Sequence, residues 1–508
     1  MRIFDTYVQK LKYKVLTELA RQTWVGNDAF SVFNDIANQV VKKGEPTVSC
    51  CIYKDRAIVA ERIRIALGGK KEDHNVIQVI DIACDECPVA GHVVTDLCRG
   101  CVAHACVDAC KLGAITVDSH QKAEIDKSKC VECGKCAKSC PYSAIANFKR
   151  PCEKACKVDA ISMAPDGVAQ IDSEKCIECG ACVYKCPFGA TLDVSSITDI
   201  IKTIVDSDNN KNYHVHAIVA PAIAGQFQYA KAGQLISAIR ELGFYAVEEV
   251  ALGADIVAYK EAQELQEKGF LTSSCCPAFV KYIKMKFPQL AEHISHNLSP
   301  MAETGKLIKE QDPDAKIVFI GPCTAKKGEV RKPEVHQYVD YVMTFEELQA
   351  MIDSKDIAVD QLPETELDTA TYYGRVFART GGLSEAVTEA VREQKAAAEA
   401  AKVDAPDGAG ASGAVASGEA GASGKPANGD GACDGDSADS KPFVFDPIVC
   451  DGIDSCKTAL LRASKGLLPN NFIEGMVCTD GCIGGAACLS HGNADKRAID
   501  NYGKKASH

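Results

Sequence analysis

Two runs of closely spaced cysteines carry the most specific chemical pattern in the sequence. Residues 130–141 read CVECGKCAKSCP and residues 176–187 read CIECGACVYKCP, so both follow C-x2-C-x2-C-x3-C-P. A tight loop of this kind directs three thiolates at three corners of one iron–sulfur cubane, and the fourth thiolate reaches a neighbouring cubane. A structural zinc site needs only two C-x2-C pairs and accounts for neither the third cysteine nor the proline. The repeated spacing therefore predicts two 4Fe–4S clusters.

Further cysteines on either side of these runs extend the pattern. Residues 98–110 hold a C-x2-C-x4-C-x3-C variant, residues 152–156 keep the last two cysteines of a unit, and the pair at 84 and 87 supplies a missing first half. The segment resembles bacterial-type 4Fe–4S ferredoxins, and its thiolates suffice for up to four clusters. His104 is an alternative ligand, with a solvated or structural histidine as the simpler interpretation. The predicted ligands are Cys84, Cys87, Cys98, Cys101, Cys106, Cys110, Cys130, Cys133, Cys136, Cys140, Cys152, Cys156, Cys176, Cys179, Cys182 and Cys186.

The cross-ligation rule gives a hypothetical grouping of these ligands. Each cluster takes three cysteines from one unit and a fourth from another. The groups are Cys98, Cys101, Cys106 with Cys140; Cys130, Cys133, Cys136 with Cys110; Cys176, Cys179, Cys182 with Cys156; and the remaining Cys84, Cys87, Cys152 and Cys186.

Composition and charge limit the classes of protein to which the chain can belong. Its 508 residues are 46% hydrophobic and 25% charged, which is ordinary for a globular protein, but they include 27 cysteines. The N-terminus has no apolar signal-peptide core, and no stretch is long enough to span a bilayer. We therefore predict a cytoplasmic protein whose thiolates bind metal instead of forming disulfides. The net charge of −12 argues against nucleic-acid and membrane binding.

The cysteine-rich stretch separates regions of different texture. We predict an N-terminal α/β region at 1–83, a ferredoxin-like domain at 84–190 and a catalytic domain at 191–508. Because 84–190 is poor in large apolar residues, its folding energy must come largely from bound metal. A stretch from about 395 to 442 has no aromatic residue, leucine or isoleucine and predicts a flexible insertion, in which Cys433 is an idle thiol.

The N-terminal region predicts two helices. Apolar residues from Phe4 to Leu19 recur at a helical period and predict the first helix. A short strand is then expected to lead into a second helix, which ends at Gly68. Cys50 and Cys51 lie in that strand and are interpreted as buried small hydrophobic residues.

The long C-terminal region alternates strand and helix patterns. Residues 213–224 and 315–323 predict buried strands that run into loops, while 234–244 and 344–352 predict helices, the second with a capping box. This alternation is typical of an α/β domain.

Three separated loops of this domain are rich in cysteine. They read SSCCPAF at 273–279, GPCTAKKGE at 321–329 and MVCTDGCIGG at 476–485. Cysteines that arrive from several loops beside glycine and proline indicate a metal cluster assembled by tertiary structure. Two adjacent cysteines alone would be weak support, but the three loops together are specific.

These loops resemble the three signature loops of the FeFe-hydrogenases, whose patterns are approximately TSCCP-x-W, MPC-x-x-K-x-x-E and E-x-M-x-C-x-x-G-C-x-x-G-G. The resemblance extends from about residue 84 to the end and includes the TGG-containing segment 379–382. It implies a monomeric clostridial-type enzyme with a divergent third loop. The implied fold class is an α/β hydrogenase catalytic domain with an N-terminal α+β ferredoxin-like multi-cluster domain.

The resemblance also implies cofactors and residue roles. Cys276, Cys323, Cys478 and Cys482 correspond to the ligands of the 4Fe–4S part of the H-cluster, and Cys482 to the bridge to a two-iron subcluster with CO, cyanide and azadithiolate. By the same resemblance, Cys275 exchanges protons with the azadithiolate amine, Lys326 hydrogen-bonds a cyanide and Met476 packs against the two-iron unit. Dedicated maturation proteins install that unit.

Four further residues correspond to proton-transfer positions of the family. Glu261, Glu264 and Ser295 align with relay groups, and Glu329 belongs to the second signature loop. A solvated helical face is the alternative interpretation for the two relay glutamates, and a surface salt bridge for Glu329.

The sequence departs from the family pattern near the predicted cluster. Gly321 replaces a methionine, Phe279 a tryptophan and Met301 a polar residue, and the third loop continues Gly-Ala-Ala-Cys at 485–488. These neighbours are expected to alter the potential and oxygen sensitivity of the cluster. The cysteines without a motif role are interpreted as structural: Cys450, Cys456 and Cys488.

The predicted activity is the reversible conversion of H2 to protons and electrons, with electrons exchanged with ferredoxin. A local basic patch for that acidic partner is expected at Lys149, Arg150, Lys154 and Lys157. An iron–sulfur assembly factor that lacks the two-iron unit and a hydrogen sensor are the alternatives. The first alternative is disfavoured by Cys275 and the Pro-Cys-x-x-Lys motif, the second by the absence of a recognisable signalling domain.

Overall fold

A computed structural model describes residues 4–27, 31–44, 48–70, 73–85, 87–88, 90–403 and 443–507. The N-terminal region is helical: α1 (Tyr7–Trp24), α2 (Phe33–Val40) and α3 (Ile52–Ala66). Thr6 caps α1 in a capping box with Gln9. The first predicted helix is confirmed. The strand predicted before α3 is wrong, because residues 48–51 form bends, and Cys50 and Cys51 are exposed there instead of buried.

The cysteine-rich segment is built from very short elements. They are β1 (Ile77–Val79), α4 (Asp81–Cys84), β2 (Gly91–Val94), α5 (Ala105–Asp108), β3 (Ile115–Val117), β4 (Ala123–Ile125), α6 (Lys135–Ser139), β5 (Ile145–Phe148), α7 (Pro151–Ala155), β6 (Ile161–Met163), β7 (Ala169–Ile171), α8 (Ala181–Lys185) and β8 (Thr191–Asp193). The strands pair antiparallel as β1 with β8, β2 with β5, β3 with β4 and β6 with β7. Such ribbons of two strands bury little apolar surface.

The C-terminal region has longer elements. They are α9 (Ile197–Asp206), β9 (Val215–Val219), α10 (Ile223–Gln226), α11 (Ala232–Glu241), β10 (Ala246–Glu249), α12 (Val250–Lys268), β11 (Leu271–Thr272), α13 (Pro277–Lys286), α14 (Pro300–Gln311), β12 (Lys316–Gly321), α15 (Ala325–Glu329), α16 (Pro333–His336), β13 (Tyr341–Thr344), α17 (Phe345–Ser354), α18 (Tyr372–Val376), α19 (Gly382–Val403), β14 (Pro447–Asp451), α20 (Gly452–Ala463), β15 (Phe472–Met476) and α21 (Asn493–Gly503). Short 3-10 helices lie at Pro288–His293, Val359–Gln361 and Cys482–Gly484.

Two parallel sheets organise these elements. One has the strand order β10-β9-β12-β13 and the other β11-β15-β14. Helices pack around the first sheet, and its core joins strand residues such as Val219 and Ile320 to Leu16 and Leu19 of α1. The strands and helices predicted in this region are confirmed, including the capping box of Thr344 on α17.

Helix α19 overturns part of the predicted insertion. Residues 395–403 continue this helix, because alanine, glutamate and lysine have high helix propensity even without a large apolar face. Residues 404–442, including Cys433, lie outside the described residues. No helix in the described parts of the chain combines the length and apolar character that crossing a bilayer requires.

Candidate metal centre

Three loops that carry five cysteines begin where parallel strands end. Cys275 and Cys276 follow β11, Cys323 follows β12, and Cys478 and Cys482 follow β15. β11 and β15 are paired in one sheet, and β12 belongs to the other. The carboxyl ends of parallel strands share one edge of a sheet, where loops form binding sites. Loops separated by up to about two hundred residues in the chain are thereby brought to one place.

The thiols of these loops are close enough to perturb one another. Burial and the nearby thiolates of Cys323 and Cys276 raise the pKa of Cys482 to about 12. Burial, followed by the same two neighbours, raises the pKa of Cys478 well above its ordinary range. Four thiolates held this close would repel one another in a buried site unless cations neutralised them. Iron ions would deprotonate such thiols, so the donor set fits a buried 4Fe–4S cluster.

Lys326 places a buried cation beside these thiols. Its Nζ lies 2.6 Å from Glu329 Oε2, and in the described residues it has no second polar partner. Burial opposes the charge, yet Glu329 and, to a smaller extent, Cys323 and Cys275 raise the pKa of Lys326. The ammonium therefore stays charged with unused N–H donors. Such a group fits a small anionic ligand of the kind that an H-cluster carries.

Cys275 and Met476 lie in a mainly apolar environment. Both are buried in a hydrophobic cluster that includes Phe377 and Phe472. Burial, and then the charge of Glu261, raises the pKa of Cys275 well above its ordinary range. Cys275 is therefore a neutral thiol at pH 7 that can donate a proton, and Met476 adds an uncharged wall.

Glu261 connects Cys275 to α12. Its side chain is fully buried, and the backbone N–H of Ser274 donates to Oε1 at 3.3 Å. Burial raises the pKa of Glu261 to about 7, although the hydrogen bond from the Ser274 backbone N–H opposes the shift. Its Oε2 has no hydrogen-bond partner in the described residues. A carboxyl group with this pKa exchanges protons readily at neutral pH.

Glu264 continues the row of polar groups toward the surface. Ser295 Oγ donates to Glu264 Oε2 at 3.2 Å, and the exposed His296 lies 2.8 Å from Oε1. Lys268 Nζ donates to the same oxygen at 2.7 Å. Burial opposes ionisation, but the hydrogen bonds from Lys268 and His296 lower the pKa of Glu264. The structure thus brings Glu261, Ser295 and Glu264 together, while Glu329 lies with Lys326 outside this row.

The first two ferredoxin-like cysteine groups surround one small core. Burial is the main cause that raises the pKa of Cys106, and the nearby thiolates of Cys140 and Cys101 add to it. Burial likewise raises the pKa of Cys136, with Cys130 and Cys133 as the contributing thiolates. Cys98 and Cys110 pack against the same core. His104 lies between two of these cysteines with a left-handed φ of 41°, and its buried Nε2 has no hydrogen-bond partner in the described residues, which disfavours the solvated interpretation.

The other two cysteine groups are also identified by the thiolates that influence one another. Burial raises the pKa of Cys152 to about 11, and its thiolate neighbours are Cys186, Cys84 and Cys87. Burial raises the pKa of Cys182 well above its ordinary range, and the contributing thiolates are Cys179, Cys176, Cys156 and, with the smallest effect, Cys152. These neighbours match the members of the two hypothetical groups. No disulfide joins cysteines anywhere in the described ranges.

The second ferredoxin-like loop contacts the catalytic loops directly. Thr324 Oγ1 donates to the backbone oxygen of Glu178 at 2.7 Å. Gly180 adopts φ +73°, and a Cβ at this position would lie 2.6 Å from Thr324 Oγ1 and 2.7 Å from the Cβ of Ala486. Only glycine permits this approach. A cavity of about 850 Å³ at this junction is lined by Cys156, Cys176, Cys179, Cys182 and Cys478.

A buried charge network behind Lys326 was not predicted from the sequence. Lys327 Nζ lies 2.7 Å from Asp193 and 2.8 Å from Glu347. Lys12 of α1 lies 2.5 Å from the same Asp193 and 2.6 Å from Glu346. The network joins the N-terminal helix, the end of the ferredoxin-like segment and the second signature loop. The one feature of the sequence that could have indicated this network is the position of the second lysine, Lys327, within that loop.

The departures from the family pattern have clear packing consequences. A Cβ at Gly321 would lie 2.5 Å from the ring of Phe319, and one at Gly475 would lie 2.1 Å from the ring of Phe279. Met301 is buried in an apolar cluster with Phe319. The thiol of Cys488 donates to the backbone oxygen of Ile483 at 3.2 Å.

The predicted basic patch is wrong at Arg150. This side chain is buried, and its guanidinium donates to backbone oxygens of Cys87 and Gly167 and to Cys84 Sγ at 3.6 Å. Arg150 therefore stabilises the loop around Cys84 and Cys87 and does not contribute to an exposed basic patch. Lys157 pairs with Asp454 at 3.0 Å, while Lys149 and Lys154 are exposed.

Protein families match both halves of the chain. Residues 213–486, more than half of the chain, match the C-terminal domain of the iron-only hydrogenase large subunit. Residues 97–144 and 150–190 match a 4Fe-4S dicluster domain. These matches confirm the predicted fold class, in which a ferredoxin-like segment precedes a mixed α/β hydrogenase domain.

Individual proteins give more limited similarity. Iron hydrogenase 1 of Clostridium pasteurianum is 30% identical over 319 residues, which is 57% of this chain and 54% of that protein. A cytosolic Fe-S cluster assembly factor of Kluyveromyces lactis is 37% identical over 95 residues, which is 19% of this chain and 20% of that protein. The chain spans about half the length of the hydrogenase relatives it matches. A solved [FeFe]-hydrogenase from Chlamydomonas reinhardtii aligns with a TM-score of 0.45 at 19% identity, covering 62% of this chain and 90% of the other.

Proposed function

The chain belongs to the iron-only hydrogenase large-subunit family, and from this we propose that it catalyses the reversible conversion of H2 to two protons and two electrons. The observation that best supports the proposal is the meeting of three distant loops around one buried site. Five cysteines, a buried ammonium with unused donors and a buried carboxyl group lie there together.

In this proposal, Cys276, Cys323, Cys478 and Cys482 hold the 4Fe–4S part of the H-cluster. Lys326 donates to an anionic ligand of the two-iron unit, and Glu329 balances the lysine charge from the side at 2.6 Å. When bound, the H-cluster supplies the redox centre at which the H–H bond is cleaved or formed.

Protons pass through residues of the chain. The thiol of Cys275 takes or gives a proton next to the cluster, and Glu261 exchanges it at the buried end of α12. Ser295 lies beside Glu261 and donates its hydroxyl hydrogen bond to Glu264, so that it stands between the two carboxyl groups. Glu264 releases the proton at the exposed His296. Each group lies beside the next, which is the geometric requirement for stepwise transfer.

Electrons move through the cysteine-rich segment. Each of the four cysteine groups holds one 4Fe–4S cluster, and the group of Cys156, Cys176, Cys179 and Cys182 lies next to the catalytic loops. Ferredoxin or a similar low-potential carrier is the external partner, with Lys149 and Lys154 as exposed basic residues for its docking.

Infrared spectroscopy of the matured protein tests this function. CO and cyanide bands, together with H2-dependent reduction of a viologen dye, are the expected results. A Cys275→Ala variant should keep the bands and lose dye reduction, because only proton transfer is affected. A matched Cys51→Ala variant changes an exposed cysteine that belongs to none of the predicted sites and should behave as the wild type. Bands without any dye reduction in the wild type would refute the enzymatic proposal.

An iron–sulfur assembly function is the second candidate, favoured by the similarity to the Kluyveromyces lactis assembly factor. This function needs 4Fe–4S clusters without the two-iron unit. Full iron and sulfide content with no CO or cyanide bands after maturation would support it over the hydrogenase proposal.

A further inference from the structure

Two histidines and a carboxylate meet at the amino-terminal edge of the four-stranded sheet. His214 immediately precedes β9, His216 lies within it, and Asp312 follows α14 just before β12. One ligand atom from each of the three residues lies within 4.8 Å of the others. β12 separates this edge from the cysteine loops by roughly 20 Å, given about 3.3 Å per strand residue. The group therefore lies well apart from the cysteine loops of the catalytic domain.

The local backbone accounts for this meeting. Residues two apart on a strand point to the same face, so His214 and His216 present both imidazoles together. The ring of Tyr245 stacks on His214 with centroids 3.8 Å apart. Asp312 Oδ2 lies 2.7 Å from His214 Nδ1 and 3.9 Å from His216 Nε2. One carboxylate oxygen is thus shared between two imidazoles.

The ring of His216 presents an unpartnered nitrogen to this group. Its side chain is only 9% exposed, and its Nδ1 lies 2.8 Å from Glu248 Oε1. A carboxylate accepts hydrogen bonds, so Nδ1 carries the proton and Nε2 presents its lone pair. That Nε2 is buried and has no hydrogen-bond partner in the described residues. Two electron-rich atoms, Nε2 and Asp312 Oδ2, therefore face each other across 3.9 Å.

We propose that His214, His216 and Asp312 bind a divalent transition-metal ion, with zinc as the best match. Two imidazoles and one carboxylate are a ligand set that zinc uses, with water in the fourth position. Zinc–ligand distances of about 2.0–2.2 Å place tetrahedral ligand atoms about 3.4 Å apart, so the 2.7 Å and 3.9 Å separations around Asp312 Oδ2 need to change by only about 0.5–0.7 Å on binding. Glu248 holds the His216 ring in the required tautomer, as carboxylates do behind metal-binding histidines. The bound ion would cross-link β9 to the C-terminal end of α14.

Equilibrium dialysis of the full chain, with its iron–sulfur clusters assembled, against Zn2+ tests the site. We expect one zinc per chain with unchanged iron content. His216→Gln and the isosteric Asp312→Asn should abolish this binding. Glu248→Gln should weaken it about ten- to hundredfold, because it removes only the orienting carboxylate. His336→Gln changes an exposed histidine on α16 and should have no effect.

Zinc K-edge X-ray absorption of the loaded protein identifies the ligands. A first shell of nitrogen and oxygen alone supports the proposal. A shell that contains sulfur would place zinc at cysteines and overturn it, as would stoichiometric binding that survives both His216→Gln and Asp312→Asn. Unchanged iron content in each variant shows that the chain has folded, so a loss of zinc reports on the site itself.

Discussion

The cysteine-rich segment and the catalytic domain assemble cysteine sites in opposite ways. In residues 84–190 the cysteines are local in sequence, the strands have three or four residues, and each sheet has two strands. In the catalytic domain, Cys276 and Cys482 come from loops two hundred residues apart, positioned by two parallel sheets with an extensive core. We therefore expect the first region to need metal in order to fold, and the second to fold before it binds metal.

Removal of iron should therefore separate the two regions. In the iron-free chain, we expect backbone amides of residues 98–190 to exchange at the rate of an unfolded chain, because their cores are too small to hold them. Strands β9 and β12 should stay protected, since apolar packing holds them. Hydrogen exchange followed by mass spectrometry reports both regions in one sample. Equal loss of protection in both would refute the contrast.

Lys12→Met should show how strongly the core of the catalytic domain depends on its buried charges. This change leaves Asp193, Glu346 and Glu347 with Lys327 as the one remaining cation of the described network. Removing one partner of a buried ion pair lowers the free energy of unfolding by about 3–5 kcal/mol. Urea unfolding would show this as a transition midpoint at lower urea concentration. Lys175→Met breaks an exposed pair with Asp172 in the cysteine-rich segment and should cost at most about 1 kcal/mol.

Glu261→Gln should lower H2-dependent dye reduction about 100-fold while the infrared bands stay in place, because it removes a proton acceptor from a site that the fold has already shaped. Weakened bands would show that Glu261 supports the cluster itself and would contradict the relay role.

The same substitution should alter the pH dependence of stability. The pKa of Glu261 is raised by burial to about 7, so between about pH 4.3 and 7 the native state holds a proton that the unfolded state has released. This group makes the free energy of unfolding fall as the pH rises through that interval. Glu261→Gln should remove that decrease, which chemical unfolding at pH 5 and pH 8 would reveal.

Arg150→Met should have the smallest effect and test the cysteine-rich segment alone. The buried guanidinium donates to Cys84 Sγ, and a positive charge beside a cluster raises its reduction potential. We expect the potential of one cluster to fall in an EPR-monitored redox titration, with the other clusters unchanged. Lys149→Met, a change at the exposed neighbouring residue, is the control that should leave all potentials unaltered.

Sequence reasoning succeeded where the signal was periodic or local. The helix after Thr344 and the strand that leads to Cys323 follow from capping and apolar patterns of a few residues. It failed where burial depends on distant packing. Arg150 was predicted to be exposed and is buried, whereas Cys51 was predicted to be buried and is exposed.

Spacing alone determined that this chain carries iron–sulfur clusters, because cubane geometry fixes the separation of ligands within a short loop. The sequence also indicated three further loops that hold five more cysteines. The tertiary structure decided how Glu261 acquires its raised pKa, how Lys12 and Lys327 share Asp193, and how two histidines face Asp312. Burial and through-space contact are set by the packing of whole elements, which no local pattern encodes.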